Sequence, residues 1–272
     1  MKMNKTNKNN RVGMKNKNTK ANDTKNKVRA FRGEIWEVRT KSEVELGLII
    51  SNDIGNKNST IITIARITEY KEQHQKDKLP TQHIYSLTLE DGSQKKVLIC
   101  FEQQRTYADS RLVKRVEPTI KVNLDFYLHK VYTPGALKNE IMPNYNLGIK
   151  QFDAFHLEVD KATGSEQDGN RIVYVISCDE LNDAGYVTVA PITSQPKQKL
   201  PTHIFIPKYA GLTKNSFLLA EHSNTLELSE LHRAERRQGL PAKLHKKGLE
   251  AIAAVTAKKS EILKKIHGGK DR

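Results

Sequence analysis

The fold of this chain is decided by residues 164–207, which read GSEQDGNRIVYVISCDELNDAGYVTVAPITSQPKQKLPTHIFIP. Two runs in this stretch, at 172–176 and 186–192, are rich in β-branched and aromatic residues. Turn-forming residues bound both runs, so each run is predicted to be a strand. The stretch therefore predicts a strand pair whose ends bring polar side chains close together.

Three polar residues mark the ends of these predicted strands. Arg171 precedes the first strand, and Thr193 and Ser194 follow the second. A guanidinium beside hydroxyls suits a phosphate, because the cation neutralises its charge and the hydroxyls donate hydrogen bonds to its oxygens. The same residue types are also typical of ordinary surface and turn positions, so spacing alone leaves both interpretations open.

The stretch resembles the MazF/PemK/Kid family of toxin endoribonucleases. The resemblance rests on four pieces in order, namely 164–167, Arg171, 191–194 and 199–203. It implies a small SH3-like β-barrel with helices and metal-independent cleavage of single-stranded RNA at short sequences. In the implied reaction, the ribose 2′-OH attacks the adjacent phosphate. The products carry a 2′,3′-cyclic phosphate or 3′-phosphate on one side and a 5′-OH on the other.

The same series of pieces occurs twice, in residues 32–112 and again in 152–230. The collinear matches are Ile50 and Ser51 with Ile176 and Ser177, Thr68 with Thr193, Leu79, Pro80 and Thr81 with Leu200, Pro201 and Thr202, and Glu102 and Thr106 with Glu221 and Thr225. A period this long indicates a duplicated domain, because solenoid repeats are far shorter. Family toxins are homodimers whose RNA crosses the subunit interface, so the resemblance implies a toxin dimer fused into one polypeptide.

The predicted fold class is therefore α+β and β-rich, with two SH3-like (MazF/PemK-type) β-barrel domains packed as an intramolecular pseudo-dimer. A disordered Lys/Asn-rich tail is expected at residues 1–29 and a degenerate first MazF-like domain at 30–132. A linker at 133–149 and a second MazF-like domain with a C-terminal helix at 150–272 complete the prediction.

The charge of the chain favours a polyanionic partner, with nucleic acid ahead of membrane. The 272 residues carry a formal charge of +15, and residues 1–27 alone hold eight Lys, one Arg and one Asp. This segment has almost no apolar side chains and is either a basic arm that contacts RNA phosphates or a solvated tail. Cys100 and Cys178 lie in apolar runs and are predicted to be reduced core residues of a cytoplasmic protein.

Three further segments and the C-terminus complete the structural prediction. Residues 52–56 are predicted to form a turn, and 97–101 the returning strand of a hairpin. Residues 119–132 fit both a strand and a helix, so the pattern leaves their structure open. A C-terminal helix is predicted from about Pro241, because proline suits the first turn of a helix.

The family resemblance implies two catalytic residues and a set of RNA contacts. Arg171 would stabilise the phosphorane as a cation, and Thr193 would hydrogen-bond a phosphate oxygen. The RNA-binding positions implied are Thr68, Glu102, Gln103, Arg105, Thr106, Ser165, Glu166, Gln167, Ser194 and Glu221. The general base stays open among Glu166, Glu221, His203 and His222, each of which is also typical of a surface or hydrogen-bonding role.

Both copies depart from the family pattern. Asn224 stands where the family has Arg, and Glu45 occupies the position in the first copy that matches Arg171. These departures leave two hypotheses: an endoribonuclease with one working site around Arg171, and a catalytically degenerate RNA- or DNA-binding regulator. A gyrase poison like the related-fold toxin CcdB is a third, but that family relies on a C-terminal Trp-Gly-Ile that this sequence lacks.

The expected partners are single-stranded RNA, a cognate antitoxin, and operator DNA reached through that antitoxin. No cofactor and no metal are predicted, because no Cys/His cluster has metal-ligand spacing. No membrane association is predicted, since no apolar run is long enough to cross a bilayer.

Overall fold

The protein is an α+β chain built around two antiparallel sheets. The structure, a computed structural model, describes residues 29–159, 169–196, 200–208 and 211–256. The predictions for residues 1–28 and for Ser165, Glu166 and Gln167 lie outside these ranges. The predicted β-rich α+β class is confirmed.

The first half, residues 29–132, contains one sheet and three short helices. Its elements are β1 (Ile35–Arg39), β2 (Val44–Ile49), α1 (Asp53–Asn58), β3 (Ile61–Glu69), α2 (His74–Asp77), β4 (Gln82–Thr88), β5 (Gln94–Ala108), β6 (Leu112–Glu117) and α3 (Leu124–Tyr132). The strand order in the sheet is β4-β5-β3-β2-β1-β6. One turn of 3-10 helix, Asp109–Arg111, connects β5 to β6.

The described part of the second half, residues 150–256, also contains one sheet and three helices. Its elements are β7 (Ala154–Val159), β8 (Gly169–Val175), α4 (Asp179–Asp183), β9 (Val187–Thr193), β10 (His203–Ile206), β11 (Ser216–Leu219), β12 (Asn224–Leu226), α5 (Leu228–Arg233), β13 (Glu235–Arg237) and α6 (Ala242–Thr256). The strand order is β10-β11-β9-β8-β7-β13, and β12 also pairs with β9. The predicted strands at 172–176 and 186–192 are β8 and β9, and α6 is the predicted C-terminal helix.

The predicted turn at 52–56 is wrong, because Asn52 caps a helix instead. Its side-chain Oδ1 accepts a hydrogen bond from the Gly55 N–H at 2.7 Å, which is how asparagine satisfies the first turn of a helix. The ambiguous segment 119–132 contains helix α3, whose first turn is capped in the same way by Asn123. Leu124, Leu128 and Val131 are buried at helical spacing, so packing decides between the two patterns.

The predicted strand at 97–101 is only the centre of β5, which runs for 15 residues. The extension beyond Phe101 is polar, yet Glu102 and Gln104 are fully buried. The Gln104 side chain contacts the Ser223 hydroxyl of the second half, and the Glu102 carboxylate is buried against Thr81 and Gln82 of the first half, so the hydrophobicity pattern of β5 alone could not predict their burial.

One continuous hydrophobic core joins the two halves. Buried side chains from both sheets and from α3 and α6 contribute to it, including Ile35, Leu48, Phe101, Val131, Tyr174, Ile176, Leu218 and Ile252. A smaller apolar cluster lies on the other face of each sheet. Cys100 and Cys178 are buried, as predicted, and burial raises the pKa of both thiols to about 12.

The contact between the halves is reciprocal at the strands. The Thr106 hydroxyl donates to the Ser223 carbonyl at 2.8 Å, and the Thr225 hydroxyl donates to the Glu102 carbonyl at 2.8 Å. The Gln104 N–H in turn donates to the Thr225 hydroxyl at 2.9 Å. Thr106 and Thr225 are matching positions of the predicted sequence repeat, and each donates its hydroxyl hydrogen to a carbonyl group of the other half.

The contact is reciprocal at the helices as well. The Val255 carbonyl of α6 accepts a hydrogen bond from the Asn52 N–H, at 3.1 Å. The end of α3 accepts one at the Val131 carbonyl from the Cys178 N–H, at 2.9 Å. In both cases a carbonyl group of a long helix accepts from the residue that precedes a short helix in the other half. In the part of the chain that the structure describes, no helix is long and apolar enough to cross a membrane.

Candidate nucleic-acid interface

A groove with a volume of about 1060 Å³ runs between the two halves. Six basic side chains line it, namely Lys41, Arg66, Arg105, Arg111, Arg171 and Arg233. Four acidic side chains also line it, namely Glu43, Glu45, Glu227 and Glu230. Among the described lining residues, this surplus of basic groups gives a positive formal charge, which favours a polyanion.

Arg171 lies on β8, on the face that forms the second-half wall of the groove. It pairs with Leu157 on β7, and both residues line the groove together with Val173 and Pro191. These apolar neighbours lower the local dielectric, which strengthens the attraction between a guanidinium and a phosphate. The predicted cation therefore lies in the groove, on a strand and not on a loop.

Thr193 ends β9, the strand next to β8. The two strands pair Val173 with Pro191, and continuing this register by two residues brings Thr193 opposite Arg171. Thr193 itself pairs with Phe217 on β11, and its hydroxyl accepts a hydrogen bond from the Gln195 N–H at 3.2 Å. Ser194 follows in an exposed position. The described pairing of β8 with β9 ends at Val173 and Pro191, and Thr193 is not among the described residues that line the groove, so the roles of Arg171 and Thr193 stay predictions.

Gln103, Arg105 and Thr106 line the groove from β5 of the first half. The Arg105 guanidinium lies 3.5 Å from the Glu227 carboxylate of the second half, and its side chain is 34% exposed. A pair this exposed contributes little stability, so Arg105 can exchange its carboxylate for a phosphate at small cost.

Glu45 occupies the register position in the first half that Arg171 occupies in the second. Glu45 pairs with Val38 across β2 and β1, as Arg171 pairs with Leu157 across β8 and β7. Its carboxylate lies 3.2 Å from the Arg66 Nε and accepts a hydrogen bond from the Tyr107 hydroxyl at 2.9 Å. Burial, reinforced by this carboxylate, raises the pKa of Tyr107. The first-half position is therefore neutralised internally and presents no comparable cation.

Glu102 lies beneath the groove, at the contact between the halves, and does not line it. Its carboxylate accepts hydrogen bonds from the Thr81 hydroxyl at 2.8 Å and the Gln82 amide at 2.6 Å. Burial raises the pKa of Glu102 in spite of these donors.

Glu221 is the second-half counterpart of Glu102, but its partner is a histidine. Its carboxylate lies 2.6 Å from the His203 Nε2. Burial raises the pKa of Glu221, but the hydrogen bond and charge of His203 and the charge of His222 outweigh it, so the net pKa lies below its usual range.

Thr68 lies on β3 with its hydroxyl 3.7 Å from the Cys100 sulfur, away from the groove.

Of the four candidate general bases, only His222 is seen to line the groove in the described part of the chain. Glu166 lies outside the described residues, and Glu221 and His203 are engaged with each other.

Asn224, which replaces the family Arg, accepts a hydrogen bond from the Thr106 N–H at 3.0 Å and so joins the two halves. The described residues contain no group of His, Cys, Asp and Glu side chains suited to a metal ion.

Sequence reasoning missed the aromatic side chains of the groove. Tyr107, Tyr145 and Tyr186 all line it. Tyr107 could have been found from the alternation along β5, because it lies two residues after Arg105 and so on the same face. Tyr145 belongs to the linker, whose sequence has no strand or helix pattern, so the direction of its side chain could not be predicted.

Comparisons with known proteins found similar toxins. Residues 150–256 match the family described as PemK-like, MazF-like toxin of type II toxin–antitoxin system. Endoribonuclease EndoA of Bacillus subtilis is 37% identical over 86 residues, covering 30% of this chain and 74% of the relative. MazF of Deinococcus radiodurans shares 25% identity, with 39% of this chain and 94% of that chain covered at a TM-score of 0.34.

Toxin MazF-mt6 of Mycobacterium tuberculosis shares 23% identity, with 37% of this chain and 93% of that chain covered at a TM-score of 0.30. The identity to EndoA, over most of that relative's length, establishes the family independently of these weaker structural matches. The chain belongs to the PemK/MazF-like family of type II toxins.

Proposed function

We propose that this protein is a metal-independent, sequence-specific endoribonuclease of a toxin–antitoxin system, which cleaves single-stranded RNA in the groove between its halves. The observation that carries the proposal is the position of Arg171. It lies in a groove whose described lining has more basic than acidic side chains, in the half that matches the toxin family. The name of the relative EndoA supports the same activity.

The proposed reaction uses the 2′-OH of the RNA as its nucleophile. The 2′ oxygen attacks the adjacent phosphorus, and the bond from phosphorus to the 5′ oxygen breaks. His222 is the described groove residue suited to accept the 2′-OH proton, because imidazole ordinarily titrates near neutral pH. Arg171 stabilises the charge that develops on the phosphorane, and Thr193 donates a hydrogen bond to a phosphate oxygen. The leaving 5′ oxygen takes up a proton.

The two halves are proposed to be two copies of one toxin domain, at 30–132 and 150–272, each curled into a small barrel and packed as an intramolecular pseudo-dimer. The reciprocal hydrogen bonds of Thr106 and Thr225, and those of Val131 and Val255, support this arrangement. Interfaces between identical subunits are self-complementary in this way. Because Glu45 replaces the cation in the first copy, one working site remains.

The proposed partners follow from the family. A type II toxin is described by its pairing with an antitoxin, so a cognate antitoxin is expected to bind this chain. Operator DNA would be reached through that antitoxin, and the cytoplasm is the expected compartment.

The activity is tested by incubating the purified full chain with unstructured single-stranded RNA in the presence of EDTA and mapping the product ends. The proposal expects cleavage at short recurring sequences, with a 5′-OH on the downstream fragment. Intact RNA under these conditions, or products with 5′-phosphate ends, would refute the proposed reaction.

A further inference from the structure

The linker that joins the two halves contributes an aromatic ring to the groove. Tyr145 is 61% exposed, and its neighbours Asn144 and Asn146 are exposed as well. It lines the same groove as Arg171. This ring lies outside the residues that match the toxin family, since that match begins at residue 150.

The Tyr145 ring is held against the second half from one side. Its backbone N–H donates to the Asp183 carbonyl at 2.7 Å. A Cβ added to Gly185 would lie 3.4 Å from the ring carbons, so the ring rests on the backbone of that glycine. Gly185 has a φ of +85°, a conformation that favours glycine, which leaves no side chain between the backbone and the ring.

The linker backbone around Tyr145 is also shaped locally. The Asn146 N–H donates to the Asn144 side-chain oxygen at 2.8 Å, and Asn146 has a φ of 49°. Asparagine tolerates this left-handed conformation because its short side chain bonds the nearby backbone. The ring is therefore presented from an ordered turn, which reduces the entropy lost when it binds a ligand.

We propose that Tyr145 is a stacking platform for an unpaired base of the RNA in the groove. Single-stranded RNA is recognised largely by stacking of its bases on aromatic side chains while basic groups hold its backbone. Tyr145 supplies the ring, and Arg171 and Arg105 supply the positive charge in the same groove. The inference rests on the proposed function and makes Tyr145 a positioning residue for the substrate.

The test measures binding of the full chain to two probes that it cannot cleave by 2′-OH attack. The first is a short random-sequence single-stranded RNA with 2′-O-methyl riboses, and the second is an abasic oligonucleotide with the same backbone. Tyr145→Ala removes the ring and Tyr145→Phe keeps it. Ile141→Ala is the matched control, because Ile141 is a linker side chain that is 97% exposed and does not line the groove.

Tyr145→Ala is expected to weaken RNA binding by about 5- to 150-fold, the usual effect of removing one stacking residue. Tyr145→Phe and Ile141→Ala should stay within about twofold of wild type, and all variants should bind the abasic probe equally. Unchanged RNA affinity in Tyr145→Ala, or an equal loss for both probes, overturns the inference. If wild type cleaves RNA but Tyr145→Ala binds the RNA probe as tightly as wild type does, the inference about Tyr145 is overturned and the proposed function is not. Wild type that binds neither probe overturns the proposed function with it.

Discussion

Replacing Thr225 by valine should loosen the contact between the halves. The Thr225 hydroxyl accepts a hydrogen bond from the Gln104 N–H at 2.9 Å and donates one to the Glu102 carbonyl at 2.8 Å. The Thr225 hydroxyl also shares a hydrogen bond with the Thr188 hydroxyl at 2.9 Å, and valine, which has the same shape, makes none of the three bonds, so a buried N–H, a buried C=O and a buried hydroxyl lose a partner. Each unsatisfied buried group costs about 1–3 kcal/mol, which predicts a total loss of about 3 kcal/mol in the free energy of unfolding.

Thermal unfolding of the full chain measures this loss. At about 3 °C per kcal/mol for a chain of this size, the midpoint should fall by about 9 °C in Thr225→Val. Thr88→Val is the control, because Thr88 is exposed at the end of β4 and its replacement should change the free energy of unfolding by less than about 0.5 kcal/mol. A midpoint in Thr225→Val equal to that of the control would refute the role assigned to these bonds.

Three further predictions concern the groove and the two buried glutamates. Glu45→Ala should leave the single-turnover cleavage rate unchanged or slightly raised, because Arg66 loses its carboxylate and the groove becomes more positive; a tenfold loss would contradict this. Arg105→Ala should raise the Kd for RNA more than it lowers the cleavage rate at saturating enzyme. A larger effect on the cleavage rate than on the Kd would mean that Arg105 takes part in the chemical step. Glu221 has a lowered pKa, so its contribution to stability should be full above pH 4.5 and lost as the pH falls, which a comparison with Glu221→Gln by denaturant titration measures. Glu102 has a raised pKa, so the free energy of unfolding of wild type should instead rise relative to that of Glu102→Gln as the pH falls. If the free energies of unfolding of Glu221→Gln and Glu102→Gln follow parallel pH profiles, both assignments are contradicted.

The strands and the groove cation could be predicted from local patterns. The β-branched run after Arg171 indicates a strand in isolation, and so does the run that forms β9. The C-terminal helix α6 carries its apolar face at regular spacing, which is also a local signal. Each of these features is determined by a few residues that lie close together in the sequence.

The remaining features depend on contacts between distant segments. The Glu102 carboxylate is buried against Thr81 and Gln82, which precede β5 by a whole hairpin, and no pattern within β5 indicates this burial. The neutralisation of Glu45 needs β2, β3 and β5 to be aligned in one sheet before Arg66 and Tyr107 reach it. The groove position of Tyr145 likewise depends on how the linker lies against Gly185.

The cleavage rate of Arg171→Ala tests the central claim most directly. Wild type and variant are compared in single-turnover cleavage of unstructured RNA with EDTA, and thermal unfolding verifies that both are folded. Arg237→Ala is the control, because it removes one exposed positive charge that does not line the groove. We expect Arg171→Ala to cleave about 100- to 1000-fold more slowly, since removing a preorganised charge stabiliser typically costs that much, while the control cleaves normally. An Arg171→Ala variant that cleaves at the wild-type rate would contradict the assignment of the working site.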